Sequence, residues 1–279
     1  MSAFGHPVAR GRYLEAPRWH DGALWAVDSL ARTLLRVSED GRCEIVCALS
    51  DTPAGLGFMP TGEIVVTGMW TRSLFDCADG TPRLHADLSA IVTGTIDDMI
   101  VDGAGRCFVG DLGFDLRAGV PPGATGGVAL VQPDGHPRTV ANGLHFPNGM
   151  AVTPDNCTLV VAESDGDCLS EFEIVADGSL VLRRRFGRIG EPDGLCLDAE
   201  GGVWVAAFKE DAVVRCERDG RITERIAVPG RGIASVLGGA ERRDLFCISA
   251  ETTHDDLRRG RSASRVDVIR VSVPGAGNP

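Results

Sequence analysis

The sequence contains very little lysine, and its charge balance is strongly acidic. Lysine occurs once in 279 residues, at Lys209, so 27 of the 28 basic side chains are arginines, and the net charge is -11. A lysine Schiff-base mechanism therefore has one candidate residue, whose neighbours do not indicate a desolvated amine. The acidic balance disfavours nucleic acid and anionic membranes as partners, because phosphate binding needs a basic face. Nothing in the sequence indicates a protein partner, and we expect a small-molecule substrate.

Several common signatures are also absent. The nine cysteines form no C-x-x-C pair, and their odd number fits buried free thiols in a reducing compartment better than a disulfide framework. No apolar run approaches the roughly 18 residues of a membrane span, and residues 1–18 contain no signal-peptide pattern. Neither G-x-S-x-G nor G-x-x-x-x-G-K-[ST] occurs, so a serine-elbow hydrolase and a phosphate loop are unsupported. We expect a cytoplasmic protein.

What the sequence does contain is an internal repeat of turns followed by short apolar strands. The chain has 36 glycines and 15 prolines, which indicates many turns. The turns are Asp21-Gly22, Thr61-Gly62, Ala104-Gly105, Asp155-Asn156, Glu200-Gly201 and Arg243-Asp244. Measured between the second residues of successive turns, the spacings are 40, 43, 51, 45 and 43 residues. A repeat in the forties predicts an all-β, six-bladed β-propeller, as a single domain over residues 1–279.

A second set of turns supports four strands in each blade. Asp-Gly pairs begin at residues 40, 79, 134, 177 and 219, between the main turns, where the outer hairpin of a blade is expected. Residues 115–127 contain two prolines and several glycines and predict a long loop over one face. We expect the two chain ends to share one blade, because closing the ring removes exposed strand edges.

Four oxygen-bearing side chains occupy equivalent positions before these turns. Asp97, Asn148 and Asp193 lie eight residues before their turn residue, and Glu15 lies seven before Gly22. Equivalent positions in a propeller surround its axis at one end, so these oxygens should converge. Three carboxylates beside an amide would repel one another without a cation. Ca²⁺ is the natural cation for such a set, because it prefers oxygen ligands. For each residue alone a turn or cap role is the better interpretation, but four in register favour a metal site.

Short motifs surround these four side chains. They are Glu15-Ala16-Pro17-Arg18-Trp19, Ile96-Asp97-Asp98-Met99, Phe146-Pro147-Asn148-Gly149-Met150 and Glu191-Pro192-Asp193-Gly194-Leu195. In this order, from about residue 13 to 248, they resemble the regucalcin (senescence marker protein)–gluconolactonase family. The resemblance implies a six-bladed propeller that binds one divalent metal in its central channel and typically hydrolyses lactones, while a related branch hydrolyses organophosphates.

Carried over by position, the resemblance implies Glu15, Asn148 and Asp193 as metal ligands. Asp97 stands where the family has an asparagine that lies at the metal or contacts the substrate. This change would place three negative charges around one divalent cation, and like charges at a shared site raise the pKa of one carboxylate. Thr95 stands where sugar-lactone hydrolases often have an arginine, which makes a less polar lactone plausible.

Three further residues near this region have weaker assignments. Asp115, in the long loop, could bind polar groups of a substrate or could be a solvated loop carboxylate. His145 could reach the channel mouth and move protons, although a loop histidine without a role is the simpler interpretation. Asp98 should point away from Asp97 on a regular strand, so we expect it to support the site indirectly or to cap the local structure.

We expect a metal-dependent lactonase. A divalent metal, Ca²⁺ first and Mn²⁺, Mg²⁺ or Zn²⁺ as alternatives, would polarise the lactone carbonyl, and Asp193 or Asp97 would act as general base toward water. The same site could instead catalyse a non-hydrolytic isomerisation or ring closure in a biosynthetic pathway. A calcium-binding propeller without turnover is the third possibility.

Overall fold

The described part of the chain, residues 6–277 of a computed structural model, is built from short strands. The strands of the first half are β1 (Ala9–Gly11), β2 (Leu14–His20), β3 (Ala23–Asp28), β4 (Thr33–Ser38), β5 (Cys43–Ala48), β6 (Leu56–Phe58), β7 (Ile64–Gly68), β8 (Ser73–Asp76), β9 (Arg83–Asp87), β10 (Ile96–Val101), β11 (Cys107–Asp111) and β12 (Gly126–Val131). Those of the second half are β13 (Pro137–Leu144), β14 (Pro147–Val152), β15 (Thr158–Glu163), β16 (Cys168–Ile174), β17 (Leu180–Phe186), β18 (Pro192–Leu197), β19 (Val203–Ala207), β20 (Ala212–Cys216), β21 (Ile222–Ala227), β22 (Arg231–Gly238), β23 (Asp244–Glu251) and β24 (Ala263–Arg270).

These strands pair into six antiparallel four-stranded sheets. Five sheets keep chain order, from β2-β3-β4-β5 (blade 1) to β18-β19-β20-β21 (blade 5). The sixth has the order β1-β24-β23-β22, so the strand nearest the N-terminus completes the blade that the C-terminal strands begin. The prediction of an all-β, six-bladed propeller is confirmed, and so is the shared closing blade. No helix within residues 6–277 is long and apolar enough to cross a membrane.

The Asp-Gly turns are the outer hairpins of the first five blades. Each joins the third strand of its blade to the fourth, as predicted from their spacing. Their glycines have φ angles between 80° and 90°, which side chains other than glycine rarely adopt. In the first of them, Gly41 N–H donates to the Ser38 carbonyl at 2.8 Å, closing a tight turn before the chain returns.

The apolar core fills the spaces between neighbouring blades. Between blades 3 and 4, for example, Phe108, Leu130, Met150 and Val161 are almost fully buried in one cluster. Period-two alternation would expose one face of each strand, but the inner strands carry apolar residues on both faces because each sheet is covered on both sides by its neighbours. Six of the nine cysteines are buried and none forms a disulfide, which agrees with the expectation of free thiols.

One end of the propeller carries nearly all of its irregular structure; we call it the entry end. In an antiparallel four-stranded blade, the first and third strands begin at the same end, and the second strand finishes there. The connection from the second strand to the third therefore lies at the end where the innermost strand begins. The segments between second and third strands contain 3-10 helices at Leu116–Ala118, Ser164–Gly166 and Phe208–Glu210, and the helix α1 (His254–Arg258). The predicted long loop is among them, but it ends earlier than predicted, because residues 126 and 127 already pair as the start of β12.

Candidate active site

The four predicted oxygen-bearing side chains lie at the same position of four innermost strands. Glu15, Asp97, Asn148 and Asp193 are each the second residue of the strand, in β2, β10, β14 and β18. These strands begin at the entry end, so the four side chains belong to one end of the central channel. The structure therefore places blades 1, 3, 4 and 5 around a common polar site.

A β-bulge recurs at this point in each of the four strands. The pairing register shifts between the first and fourth residues of β10, β14 and β18, for example between Ile96 and Met99. In β2 the shift lies one residue further along, between Glu15 and Arg18. Asp97, Asn148 and Asp193 lie within these bulges, and Glu15 directly precedes the one in β2. A bulge bends its strand and redirects a side chain. This explains how consecutive residues leave the regular alternation that the sequence analysis assumed for Asp97 and Asp98.

Glycine after the bulged residue lets neighbouring inner strands approach closely. A Cβ atom at Gly149 would lie 2.5 Å from the carbonyl oxygen of Asp193 and 2.6 Å from the Cα atom of Gly194. Both contacts are with backbone, which cannot rotate away as a side chain could. The inner strands of blades 4 and 5 thus hold Asn148 and Asp193 at a fixed separation.

We expect Gly149→Ala to destabilise the protein by about 1–3 kcal/mol, the usual cost of overpacking, and to displace the Asp193 bulge. Chemical denaturation measures the first effect and activity measures the second. Gly103→Ala is a suitable control, because its Cβ would meet only the movable Asn156 side chain, at 2.9 Å. Equal stability losses in the two variants would contradict the close backbone contact.

Asp97 and Asp193 are buried and Glu15 is partly buried, and the three carboxylates influence one another. Burial and the adjacent charge of Asp98 raise the pKa of Asp97 to about 7. Burial first, and then the charge of Asp97, raise the pKa of Glu15 well above its usual range, although the Ser29 hydroxyl lowers it. Burial, followed by the charges of Asp97 and Asp98, also raises the pKa of Asp193. Without a cation, the site holds more negative charge than its surroundings stabilise.

These shifts predict how the stability of metal-free protein depends on pH. A carboxyl group whose pKa is raised by folding binds its proton more tightly in the native state, so native stability falls as pH rises through the interval between the two pKa values. For Asp97 this interval runs from about 4 in the unfolded chain to about 7. In chelator, we expect the free energy of unfolding to fall by about 2–3 kcal/mol between pH 5 and pH 8. Asp97→Asn should reduce this slope, and equal slopes in the two proteins would contradict the assignment.

Two serines hold the site residues in the same way in blades 1 and 4. The Ser29 hydroxyl lies within hydrogen-bond distance of the Glu15 carboxylate and, at 2.6 Å, of the Pro53 carbonyl oxygen. In blade 4, Asn148 Nδ2 donates to Ser164 Oγ at 3.3 Å, and that hydroxyl donates to the carbonyl of Pro192 at 2.7 Å. Each serine thus links a site residue to the next blade. The sequence analysis missed both, although each follows an acidic residue at the end of a second strand.

Asp98 forms a buried ion pair with an arginine of blade 1. Arg18 Nη2 of blade 1 lies 3.1 Å from Asp98 Oδ1 and donates to the Met99 carbonyl at 2.5 Å. The Asp98 carboxylate also accepts the Met99 N–H at 2.7 Å. Both charged side chains are almost fully buried, and Arg18 fixes the strand that carries Asp97. Burial raises the pKa of Asp98 although the Arg18 charge lowers it, so the arginine offsets only part of the cost of burying this carboxylate.

The predicted substrate-binding residues have local partners. The Thr95 hydroxyl is buried and accepts the Leu116 N–H at 3.1 Å, which holds the first 3-10 helix in place. Asp115 caps that helix and pairs with Arg117, whose guanidinium carbon lies 4.7 Å from the Trp70 ring centroid. The roles of Thr95, Asp115 and His145 in substrate binding remain predictions.

His145 lies between β13 and β14, next to the inner strand that carries Asn148. Its backbone N–H donates to the Glu163 carboxylate at 2.8 Å, and its carbonyl accepts the Asp165 N–H at 3.2 Å. These contacts fix its backbone at the entry end of blade 4.

Two residues that the sequence analysis did not consider face the same charges. The pKa of Tyr13, the one tyrosine of the sequence, is raised well above its usual range by burial and then by the charges of Asp193, Glu15, Asp97 and Glu191. Glu191 also raises the pKa of Asp193, which it precedes by two residues. Tyr13 and Glu191 therefore extend the polar site toward the channel mouth.

The donor set was compared with the requirements of a divalent metal. Within residues 6–277, no three His, Cys, Asp or Glu side chains are arranged closely enough to form a ligand cluster. The chemistry of the donors nevertheless fits a hard cation: the three carboxylates destabilise one another, and the Ser164 contact of Asn148 uses its amide nitrogen rather than its oxygen.

Two grooves lie at the opposite end. One, between blades 4 and 5, is lined by residues such as Pro154, Ala199 and Gly201. Another, between blades 6 and 1, includes Glu39 and Gly239. These residues belong to turns at the far end of the inner strands or at the outer hairpins, so the grooves do not reach the carboxylates.

Comparison with known proteins agrees with this architecture. The family model described as the SMP-30/Gluconolactonase/LRE-like region matches residues 14–251. The chain belongs to this family. The matched segment runs from the residue before Glu15 to the end of β23 and includes all four oxygen-bearing positions.

Similar members of the family span almost the whole chain. A pentonolactonase of Haloferax volcanii is 26% identical over 277 residues, covering 95% of this chain and 92% of its own. A 6-deoxy-6-sulfogluconolactonase of Pseudomonas putida is 27% identical over 280 residues, covering 95% and 93%. The solved structure of a calcium-binding protein, regucalcin, of Agrobacterium tumefaciens strain C58 covers 98% of this chain and 97% of its own, with a TM-score of 0.74 and 22% identity. That last likeness concerns the fold.

Proposed function

We propose that the protein is a metal-dependent hydrolase that opens a lactone ring at the entry end of the channel. Membership of a family whose members include a pentonolactonase and a 6-deoxy-6-sulfogluconolactonase supports lactone hydrolysis. The observation that carries the proposal is the position of Glu15, Asp97, Asn148 and Asp193, which share one register of four inner strands. Buried carboxylates with raised pKa values are typical of functional sites.

Glu15, Asn148 and Asp193 would hold the metal, and Asp97 would lie beside it. When bound, a divalent cation would supply Lewis acidity toward the lactone carbonyl and would offset the repulsion among the carboxylates. Ca²⁺ is the first choice because the donors are all oxygen. The regucalcin with this fold is described as calcium-binding, which is in line with that choice.

The chain's own residues orient the reactants and move the proton. Ser29 and Ser164 fix Glu15 and Asn148, so these side chains need little rearrangement when substrate binds. Asp97 or Asp193 accepts the proton of the attacking water, since each is a buried carboxylate whose pKa lies above its usual range. The ring oxygen leaves as an alkoxide and takes up a proton from water or from the carboxyl group that has just been protonated.

The test is a pH-indicator assay of lactone opening. Protein stripped of metal is assayed with sugar, aliphatic and aromatic lactones, and Ca²⁺, Mn²⁺, Mg²⁺ and Zn²⁺ are then added back singly. We expect activity that depends on added metal. Tight metal binding without opening of any lactone would overturn the proposal and favour a binding module.

A second assay separates hydrolysis from isomerisation. Ring opening in ¹⁸O-labelled water should place one labelled oxygen in the carboxylate product. A rearranged product without label would favour an isomerase or cyclase, and turnover of organophosphates alone would favour a phosphotriesterase.

A further inference from the structure

Four side chains from blades 5 and 6 meet at the channel mouth, beside the strand that carries Asp193. We call Glu191, Phe208, Lys209 and His254 the rim cluster. Glu191 ends the segment before β18, residues 208 and 209 begin the third 3-10 helix, and His254 begins α1, so all four lie at the entry end. None of them belongs to the four oxygen-bearing positions already described.

Glu191 connects this rim with the interior of the channel. His254 Nε2 lies 2.8 Å from Glu191 Oε1, and Lys209 Nζ lies 3.6 Å from Glu191 Oε2. The His254 ring stacks on Phe208, with 4.7 Å between the ring centroids and 20° between the planes. Glu191 itself is mostly buried, whereas His254 and Lys209 are about half exposed. The carboxylate is thus held from the outside while its charge acts on Asp193 and Tyr13 inside.

The cations at this rim are already paired. Lys209 Nζ also lies 3.4 Å from Asp167 Oδ1. Arg231, whose guanidinium carbon lies 5.6 Å from the Phe208 ring centroid, pairs with Asp211 at 2.9 Å. Deeper in the channel, Arg18 is paired with Asp98. Because one lysine is shared by the two carboxylates Glu191 and Asp167, this part of the rim keeps an excess of negative charge. That excess adds to the one negative charge that remains when a divalent cation balances two of the three site carboxylates, and both would repel an incoming anionic group.

We infer that Glu191, held by His254 and Lys209, determines specificity by rejecting lactones that carry a phosphate or sulfonate group and by accepting a hydrogen bond from a neutral, hydroxyl-bearing substituent. This inference rests on the proposed lactonase activity. His254 is a positioning residue that keeps the carboxylate directed toward the channel. Because the relatives include a sulfogluconolactonase, substrate charge is a property in which members of the family can differ.

The test compares one aldonolactone with its 6-phospho or 6-sulfo derivative, so that ring chemistry is matched and charge differs. Wild-type protein should favour the neutral lactone by at least about tenfold in kcat/KM at low ionic strength. Glu191→Gln should reduce this preference several-fold. Glu200→Gln, which removes the same charge from an exposed turn at the opposite end, should leave it unchanged.

Two further variants change the partners of Glu191 and leave Glu191 itself in place. Lys209→Met removes the cation beside Glu191 and should strengthen the preference for the neutral lactone. His254→Gln should raise KM for the hydroxylated lactone with kcat within about twofold, because it loosens the hold on Glu191 without touching Asp193.

The outcomes separate this inference from the proposed function. If the wild type opens aliphatic or aromatic lactones but neither member of this pair, the specificity role is overturned and the lactonase proposal stands. Opening of no lactone of any class would defeat the lactonase proposal itself. Opening of both lactones equally well, or a Glu191→Gln variant with the same preference as Glu200→Gln, would overturn the specificity role and leave the lactonase proposal standing. An equal loss on both lactones in Glu191→Gln would also overturn it, because a merely structural role predicts that result.

Discussion

Replacing Asp193 with asparagine is expected to lower kcat/KM for lactone opening by a factor of about 10²–10⁴, the usual contribution of a carboxylate that transfers a proton in the transition state. The substitution keeps the shape of the side chain but removes the charge. Since Asp193 is also a proposed metal ligand, calorimetric titration should show weaker metal binding. The measurement is the rate of lactone opening at saturating metal, together with that titration.

The Asp193→Asn variant should lose activity without losing stability. Burial and neighbouring charges raise the pKa of Asp193, so its ionised form destabilises the metal-free native state. Asp193→Asn should therefore unfold at the same or a higher denaturant concentration than wild type in the presence of chelator. Loss of activity accompanied by a large loss of stability would indicate a structural role instead.

Two companion variants complete this experiment. Asp97→Asn tests the other carboxylate that could accept the proton, and the variant with the larger fall in kcat at saturating metal identifies the acceptor. Asp219→Asn, in an exposed outer turn, controls for the change in net charge and should retain full activity. Full activity in both Asp97→Asn and Asp193→Asn would remove the basis of the proposed mechanism.

The fold and the main polar positions were accessible to sequence analysis because they repeat. Turn spacings of 40–51 residues fixed the number of blades. The same spacing relates Asp97, Asn148 and Asp193 to one another in the sequence. Residues that recur in register need no long-range information, since the closed ring brings equivalent positions together.

The rest of the site depends on contacts between residues that follow no common spacing. Arg18 meets Asp98 across 80 positions and an intervening blade. His254 reaches Glu191 from a different blade, and a lone histidine in a polar segment gives no sign of that contact. The contact of the Thr95 hydroxyl with the Leu116 N–H is of the same kind, since the position of Thr95 beside Asp97 gives no sign of it.

The bulges are a third feature that alternation could not reveal. The sequence analysis separated Asp97 from Asp98 by assuming a regular strand. The structure separates them by a register shift, after which one carboxylate remains in the carboxylate site and the other pairs with Arg18. The reason for their different environments is therefore the bulge together with the arginine.

Arg18→Met is expected to destabilise the protein by about 3–5 kcal/mol, the usual cost of leaving one partner of a buried ion pair without its counter-charge. The methionine would retain most of the apolar packing of the arginine stem, so the loss reports mainly on Asp98. Chemical denaturation measures the change. Arg270→Met, at an exposed ion pair on β24, should cost less than about 1 kcal/mol and serves as the surface control.

The double variant Arg18→Met/Asp98→Asn decides whether the charge is the cause. Removing both charges should recover much of the stability lost in Arg18→Met, because a neutral amide is far less costly to bury than an unpaired carboxylate. Arg18 also donates to the Met99 carbonyl, so the recovery should be incomplete. A double variant no more stable than Arg18→Met would show that the arginine acts through packing and backbone contacts. In that case the ion pair with Asp98 would not be the reason why this position requires an arginine.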